Sequence, residues 1–159
     1  TVVKVPIPPL QGMFNGRDAV FTIDGTEIQL VKGVSEMPSA PGSASKVVTR
    51  YFGNEAVGDL TGDGQSDSAF LITQETGGSG TFFYVVVAMK QGDTYKTTNA
   101  FLIGDRIAPQ SLFIPQNAQE LQVNYAERRP GEAMSVAPSQ GATLLLKVTP
   151  EGVLEGLMQ

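Results

Sequence analysis

The fold is decided most clearly by the stretch Ala19-Val20-Phe21-Thr22-Ile23-Asp24-Gly25-Thr26-Glu27-Ile28-Gln29-Leu30. Its centre, Asp24-Gly25, favours the two-residue turn of a β-hairpin, because both residues accept the positive φ angles that this turn requires. The cross-strand pairs that follow are Ile23 with Thr26, Phe21 with Ile28, and Ala19 with Leu30. Since this register places the apolar residues on one face, the sequence predicts an antiparallel hairpin that buries that face.

Beyond the hairpin, short apolar runs rich in Val, Phe, Tyr and Thr alternate with turn signals. Lys32-Gly33 predicts another turn, and residues 37–45, rich in Pro, Gly and Ser, predict a loop or a short capped helical turn. The predicted strands are 46–52 continued by 55–59 as one interrupted strand, 68–73, 81–90, 98–103, 111–114, 121–126, 143–148 and a short closing strand at 153–154. We therefore expect a mainly β, mostly antiparallel domain: a curled sheet, a sandwich or a partly closed barrel, with at most one or two short helices.

The chain has the length and apolar content of one folded domain. It contains 159 residues, of which 41% are hydrophobic and 17% charged, so a core can form without cross-links. Residues 1–16 are predicted to be an extended segment, stiffened by Pro6, Pro8 and Pro9. Residues 17–159 are predicted to form a single β-rich domain.

The residue types that are absent exclude several kinds of chemistry. The chain has no Cys and no His, which rules out a thiolate nucleophile, a disulfide, a Ser-His-Asp triad and a His- or Cys-ligated metal. The formal charge of -5 opposes binding to phosphate backbones, and no basic cluster is longer than Arg128-Arg129. We therefore expect oxygen chemistry and no nucleic-acid partner.

Nothing in the sequence predicts a membrane span. The longest apolar candidate, residues 82–89, is far shorter than the roughly 20 residues that cross a bilayer. No charged-then-apolar leader is present at Thr1, as expected for a chain from which a leader has been removed.

The strongest chemical signal is Asp59-Leu60-Thr61-Gly62-Asp63-Gly64-Gln65-Ser66-Asp67, called the Asp loop below. It places three carboxylates at every fourth residue around two glycines. Calcium binds oxygen ligands from alternate positions of such a loop, with glycine at position 6 where the chain turns sharply. The predicted ligands at positions 1, 3, 5, 7 and 9 are Asp59, Thr61, Asp63, the backbone carbonyl of Gln65, and Asp67.

The match to a calcium loop is incomplete. An EF-hand has a bidentate Glu at position 12, where this chain has Phe70, and Thr61 offers only a neutral oxygen. Fewer charged ligands imply weak binding, with a Kd on the order of 10⁻⁴ to 10⁻³ M. The alternative is a metal-free turn in which the aspartates accept hydrogen bonds from backbone amides, as in Asx turns.

Residues 58–71 resemble the calcium loop of FG-GAP repeats in integrin-type propellers, although a single copy does not imply a propeller. A longer part, from about residue 21 to 148, resembles an uncharacterised family of predicted exported or lipid-anchored bacterial proteins. Its recurring elements are Ala40-Pro41-Gly42-Ser43-Ala44, the Asp loop, Gly77-Gly78-Ser79-Gly80-Thr81-Phe82, Leu102-Ile103-Gly104-Asp105-Arg106 and Arg129-Pro130-Gly131-Glu132-Ala133-Met134. The resemblance implies a periplasmic or extracellular location, with or without a membrane anchor carried by a removed leader. It implies no activity.

Two further clusters allow weaker interpretations. Residues 77–80 predict a flexible hairpin loop, since they lack the ending of a phosphate-binding loop and precede a strand. A second cluster, Asp105-Arg106 with Glu127, Arg128, Arg129 and Glu132, predicts surface ion pairs. The alternative is a polar cleft for an anionic or sugar ligand, in which Asp105 and Glu132 could act as a glycosidase pair.

Two functions are compatible with these features. The sequence favours a noncatalytic exported domain, stabilised by calcium, that binds an envelope protein or a small ligand; an inhibitor of a secreted enzyme belongs to this class. The alternative is a weak hydrolase that activates water with carboxylates or a metal ion. The hydrolase requires Asp105, Arg106, Arg129 and Glu132 to line one pocket near Asp63. The oligomeric state is left open by the sequence.

Overall fold

A computed structural model describes residues 14–157 of the chain. The prediction for residues 1–13 of the leading segment lies outside this range. At the start of the described part, the ring of Phe14 packs on those of Phe70 and Tyr95, at centroid distances of 5.5 and 5.2 Å. Residues 14–16 therefore contact the β domain.

The described residues form twelve strands and one short 3-10 helix. The helix is Gly16–Asp18. The strands are β1 (Val20–Ile23), β2 (Thr26–Gln29), β3 (Val34–Pro38), β4 (Lys46–Gly58), β5 (Asp67–Glu75), β6 (Phe82–Gln91), β7 (Thr94–Thr97), β8 (Phe101–Asp105), β9 (Ala108–Phe113), β10 (Leu121–Glu127), β11 (Gln140–Val148) and β12 (Leu154–Gly156).

The strands form three antiparallel sheets. The central sheet has the order β3-β4-β5-β6, after which β7 and β8 pair with opposite ends of β6. A second sheet has the order β12-β11-β10-β9, and β1 and β2 form a separate hairpin. The sheets do not close into a barrel within residues 14–157, so the structure confirms the mainly β fold and selects the sandwich. In the same range, no helix is long and apolar enough to span a membrane.

The central sheet is buried on both faces. Leu71 and Val85 point into a core shared with β10, β11 and β12. Phe70 and Val86 point the other way, into a core shared with the β1–β2 hairpin. β5 is buried along eight of its nine residues, and its middle, residues 69–72, is a continuous apolar run without an alternating pattern. The domain is therefore three layers deep at its centre.

The β1–β2 hairpin has the predicted register. Phe21 pairs with Ile28 and Ile23 with Thr26, and the Leu30 N–H donates to the Ala19 carbonyl at 2.9 Å. Asp24 and Gly25 have φ angles of 48° and 81°, as a type I′ turn requires. The predicted apolar face, with Phe21 2% exposed, is the one that packs on the central sheet.

The prediction for residues 37–45 was partly wrong. Met37 and Pro38 end β3, where they pair with Val47 and Lys46 of β4, and only residues 39–45 form a loop. A proline is tolerated there because β3 is an edge strand, and no neighbouring strand on its outer side requires a backbone N–H donor. The next strand was predicted to be interrupted between residues 52 and 55. In the structure, β4 has two register shifts relative to β5 at this place, between Tyr51 and Ala56.

The predicted strand 98–103 is broken by a segment that joins all three layers. The Thr98 N–H donates to the Val87 carbonyl at 2.8 Å, and the Ala100 N–H donates to the Thr22 carbonyl at 2.8 Å. Between them, the Asn99 side chain accepts the Leu154 N–H at 2.9 Å and donates to the Leu154 carbonyl at 3.3 Å. Residues 98–100 thus link the central sheet, the hairpin and β12.

We expect Asn99→Ala to lower the free energy of unfolding by about 2 kcal/mol, because both backbone groups of the buried Leu154 lose their partner. Urea unfolding measures this loss. The matched control is Asn124→Ala, whose side chain also makes two hydrogen bonds, to Ser111 and Thr143, but on an exposed face. Its cost should stay below about 1 kcal/mol. An equal cost for the two variants would contradict the linking role of Asn99.

Candidate functional site

The Asp loop connects β4 to β5 at one end of the sandwich. Gly62 and Gly64 have φ angles of 81° and 82°, which glycine adopts without strain. Gly62 is also confined by packing, since a Cβ atom there would lie 2.8 Å from the Gln119 side-chain nitrogen. The two glycines allow the chain to fold tightly around the Asp59 carboxylate.

Asp59 organises the loop through backbone amides. Its Oδ1 accepts the N–H groups of Thr61 at 3.1 Å and Gly62 at 2.8 Å, and its Oδ2 accepts that of Gly64 at 2.8 Å. Partial burial raises the pKa of Asp59, but these hydrogen bonds, led by those from Gly64 and Gly62, outweigh burial and hold the pKa below its ordinary value. Asp59 therefore favours its negative charge.

Asp67 is fully buried at the end of the loop. Its Oδ2 accepts the Leu60 N–H at 2.8 Å, and its Oδ1 accepts the Lys90 N–H at 3.0 Å. Burial raises the pKa of Asp67 above its ordinary value; the two N–H donors offset this only in part, and the charges of Asp63 and Asp59 raise it further. The buried carboxylate thus lies in the electrostatic field of two other carboxylates.

The other predicted ligands lie at the surface of the loop. The Asp63 Oδ1 accepts the Gln65 N–H at 2.9 Å, and the Thr61 hydroxyl donates to the Asp59 Oδ1 at 3.4 Å. The Gln65 side chain accepts the Gly92 N–H at 3.2 Å, so it connects the loop to the β6–β7 turn. All five residues belong to one compact turn.

The chemistry of this donor set is that of a calcium ligand: three carboxylates, a hydroxyl and a backbone carbonyl, all oxygen. Carboxylate oxygens have more than one lone pair, so an amide hydrogen bond does not exhaust them. In residues 14–157, no three acidic side chains lie together as a ready metal-binding group. The aspartates also accept hydrogen bonds from backbone amides, as the metal-free turn predicts. Calcium binding stays a prediction.

A cleft of 470 Å³ lies beside the Asp loop, at the mouth between the two larger sheets. Its walls come from segments that are distant in the sequence. They include Leu60, Thr61 and Asp63 of the loop, Met89 and Lys96 of the β6–β7 hairpin, and Thr149, Pro150 and Glu151 of the turn between β11 and β12. Sequence reasoning missed this cleft, because no local pattern reveals which loops meet at the end of a sandwich.

The second cluster predicted from the sequence forms around Asp105. The Asp105 carboxylate accepts Arg106 Nε at 3.1 Å and Nη2 at 2.9 Å, and also the Thr81 N–H at 2.9 Å. Arg128 donates to the backbone carbonyls of Arg106, Met134 and Val136 at 2.7, 3.0 and 2.6 Å. This confirms the ion pair of Asp105 with Arg106 and shows that Arg128 shapes the neighbouring loop.

The Asp105 cluster and the Asp loop lie at opposite ends of β6. Phe82 of β6 pairs with Asp105, whereas Lys90 bonds to Asp67. Eight residues separate these two contacts, which is about 26 Å at about 3.3 Å per strand residue. In the described part of the chain, none of Asp105, Arg106, Arg129 and Glu132 lines the cleft at Asp63.

Asp105 and Glu132 also lack the features of a glycosidase pair. Hydrogen bonds from Arg106 hold the pKa of Asp105 below its ordinary value, whereas a general acid needs a raised pKa. Glu132 Oε1 accepts the Arg129 N–H at 2.6 Å within its own turn. The convergence that the hydrolase requires is therefore not seen in residues 14–157.

Comparison of the chain with protein-family models, with curated protein sequences and with solved structures gives no match.

Asp105 should make stability depend on pH. Because its pKa is lower in the folded state, it stabilises the protein above the unfolded-state pKa of about 3.9, and this contribution is lost as the pH falls through the folded-state value. We expect Asp105→Asn to cost about 1 kcal/mol at pH 7 and progressively less as the pH falls below about 3.9. Chemical unfolding at pH 7 and over a series of acidic pH values measures this. Asp93→Asn, in the exposed β6–β7 turn, is the control; a pH-independent cost for Asp105→Asn would contradict the assignment.

Proposed function

We propose that the protein is a noncatalytic exported domain that binds calcium at the Asp loop and binds a partner in the bacterial cell envelope. Asp59, Thr61, Asp63, Asp67 and the backbone carbonyl of Gln65 would hold the ion. Bound calcium supplies a positive charge that stabilises the loop, and no chemical step is assigned to it.

The observation that carries the calcium proposal is the environment of Asp67. Its side chain has 0% exposure, its hydrogen bonds come from the N–H groups of Leu60 and Lys90, and it faces the charges of Asp63 and Asp59. A buried carboxylate in the field of two others is relieved either by protonation or by a nearby cation. A divalent ion within the loop would supply that cation.

Two observations support the noncatalytic role. The chain has no His or Cys, and its carboxylate clusters lie about 26 Å apart along β6, too far to act on one bond. The resemblance of residues 21–148 to predicted exported or lipid-anchored bacterial proteins supports the cell envelope.

Calcium should raise the melting temperature of the protein. With a Kd of about 10⁻⁴ to 10⁻³ M, about 10 mM calcium stabilises the native state by about 1.4 to 2.7 kcal/mol. For a domain of this size, that corresponds to an increase of about 3 to 10 °C. Thermal unfolding followed by circular dichroism, in chelator and in calcium, measures the shift.

Asp63→Ala should abolish the calcium shift, since it removes an exposed ligand with one hydrogen bond and leaves the core intact. Asp93→Ala is the matched control, because it removes one carboxylate from the neighbouring β6–β7 turn. Identical melting temperatures of the wild-type protein in chelator and in calcium would overturn the calcium proposal.

A further inference from the structure

The cleft beside the Asp loop is lined by two lysines, Lys90 and Lys96, and by two acidic residues, Asp63 and Glu151. Lys96 pairs with Met89 in the β6–β7 register, so the two side chains lie on the same face of the sheet. Met89 belongs to the core between the two larger sheets, which directs Lys96 toward the cleft mouth. Asp63 lies on the wall formed by the Asp loop, and Glu151 on the wall formed by the β11–β12 turn.

These opposite charges line one cleft but do not neutralise one another. The ion pairs within residues 14–157 are Lys46 with Glu36, Arg50 with Glu75, Arg106 with Asp105, and Lys147 with Glu155. None of them includes Lys96, Asp63 or Glu151. Within these residues, the charges of Lys96 and Glu151 are therefore not engaged in an ion pair and can meet a charged ligand.

The turn that carries Glu151 is fixed in position. The Gly152 N–H donates to the Thr149 carbonyl at 2.9 Å, and the Val153 N–H donates to the Thr149 hydroxyl at 3.1 Å. A Cβ atom on Gly152 would lie 3.3 Å from the Met89 methyl group, so the turn rests against the same residue that orients Lys96. The positive and negative walls are therefore held at a defined separation.

We propose that this cleft binds a zwitterion, a free amino acid or a short peptide with free ends, with its carboxylate at Lys96 and its ammonium group at Glu151. A volume of 470 Å³ is ordinary for a small-ligand site. Val148 and Pro150, which are less deeply buried than Leu60 and Met89, offer an apolar wall for a short aliphatic side chain. This inference rests on the partner-binding part of the proposed function and names the chemistry of that partner.

Glycyl-leucine is a suitable probe, followed by NMR titration of the ¹⁵N-labelled protein to about 10 mM ligand. N-acetyl-glycyl-leucine removes the ammonium charge, and glycyl-leucinamide removes the carboxylate. We expect each blocked form to bind about tenfold more weakly, because one charge-assisted contact is worth about 1.4 kcal/mol. Free leucine separates the two sources, since it carries both charges without the peptide bond.

The variants assign each ligand charge to its wall. In Lys96→Gln, blocking the ligand carboxylate should weaken binding no further, and in Glu151→Gln, blocking the ligand ammonium group should weaken binding no further. Lys147→Gln is the matched control, because it removes a lysine from the pair with Glu155, outside the cleft. Both Lys96 and Glu151 are exposed, so their replacement leaves the fold intact.

Several results would overturn the inference: no shifts at the cleft with glycyl-leucine or leucine, equal binding of the blocked forms, or equal binding of acetate, which carries only the negative charge. Titrations in chelator and in calcium separate the two proposals. Charge-dependent binding without a calcium effect on melting removes the calcium site alone, and a calcium effect without ligand binding removes the zwitterion site alone.

Discussion

The burial of β5 and β6 on both faces is the constraint on which the rest of the structure depends. Eight of the nine residues of β5 are buried, so the sheet they belong to needs a cover on each side. The sheet of β9 to β12 supplies one cover and the β1–β2 hairpin the other. A hairpin is only marginally stable alone, so docking on Phe70 and Val86 stabilises both elements at once. The short segment at residues 98–100 then fixes the three layers relative to one another.

Much of this architecture is local in origin and could be predicted from the sequence. The register of the hairpin follows from Asp24-Gly25 and the alternation around it, and β5 and β6 follow from continuous apolar runs. Other features depend on partners far along the chain. Met37 is in a strand because Val47 lies opposite, and the break at Asn99 depends on Leu154, which lies 55 residues away. No residue pattern near Asn99 reveals that contact.

The candidate site likewise combines features of local origin, which could be predicted, with features that depend on distant parts of the chain. The spacing of the Asp loop predicts that its carboxylates lie in one turn, since glycines at positions 62 and 64 permit the tight path. The complete burial of Asp67 could not be predicted, because it depends on the Lys90 N–H from another strand. The cleft could not be predicted at all, since its charged residues come from the Asp loop, the β6–β7 hairpin and the β11–β12 turn, which meet only in the folded protein: Asp63, Lys90, Lys96 and Glu151. The charged lining of the cleft therefore exists only once the two larger sheets have packed together.

The position of Asp67 has a consequence for local motion. One carboxylate accepts the N–H groups of both Leu60 and Lys90, so a rotation that releases one contact disturbs the other. The start of the Asp loop and the end of β6 therefore belong to one cooperative unit, which opens as a whole during the local unfolding that hydrogen exchange detects. The amide protons of Leu60 and Lys90 should then exchange with solvent through the same fluctuation, although 30 positions separate them in the chain.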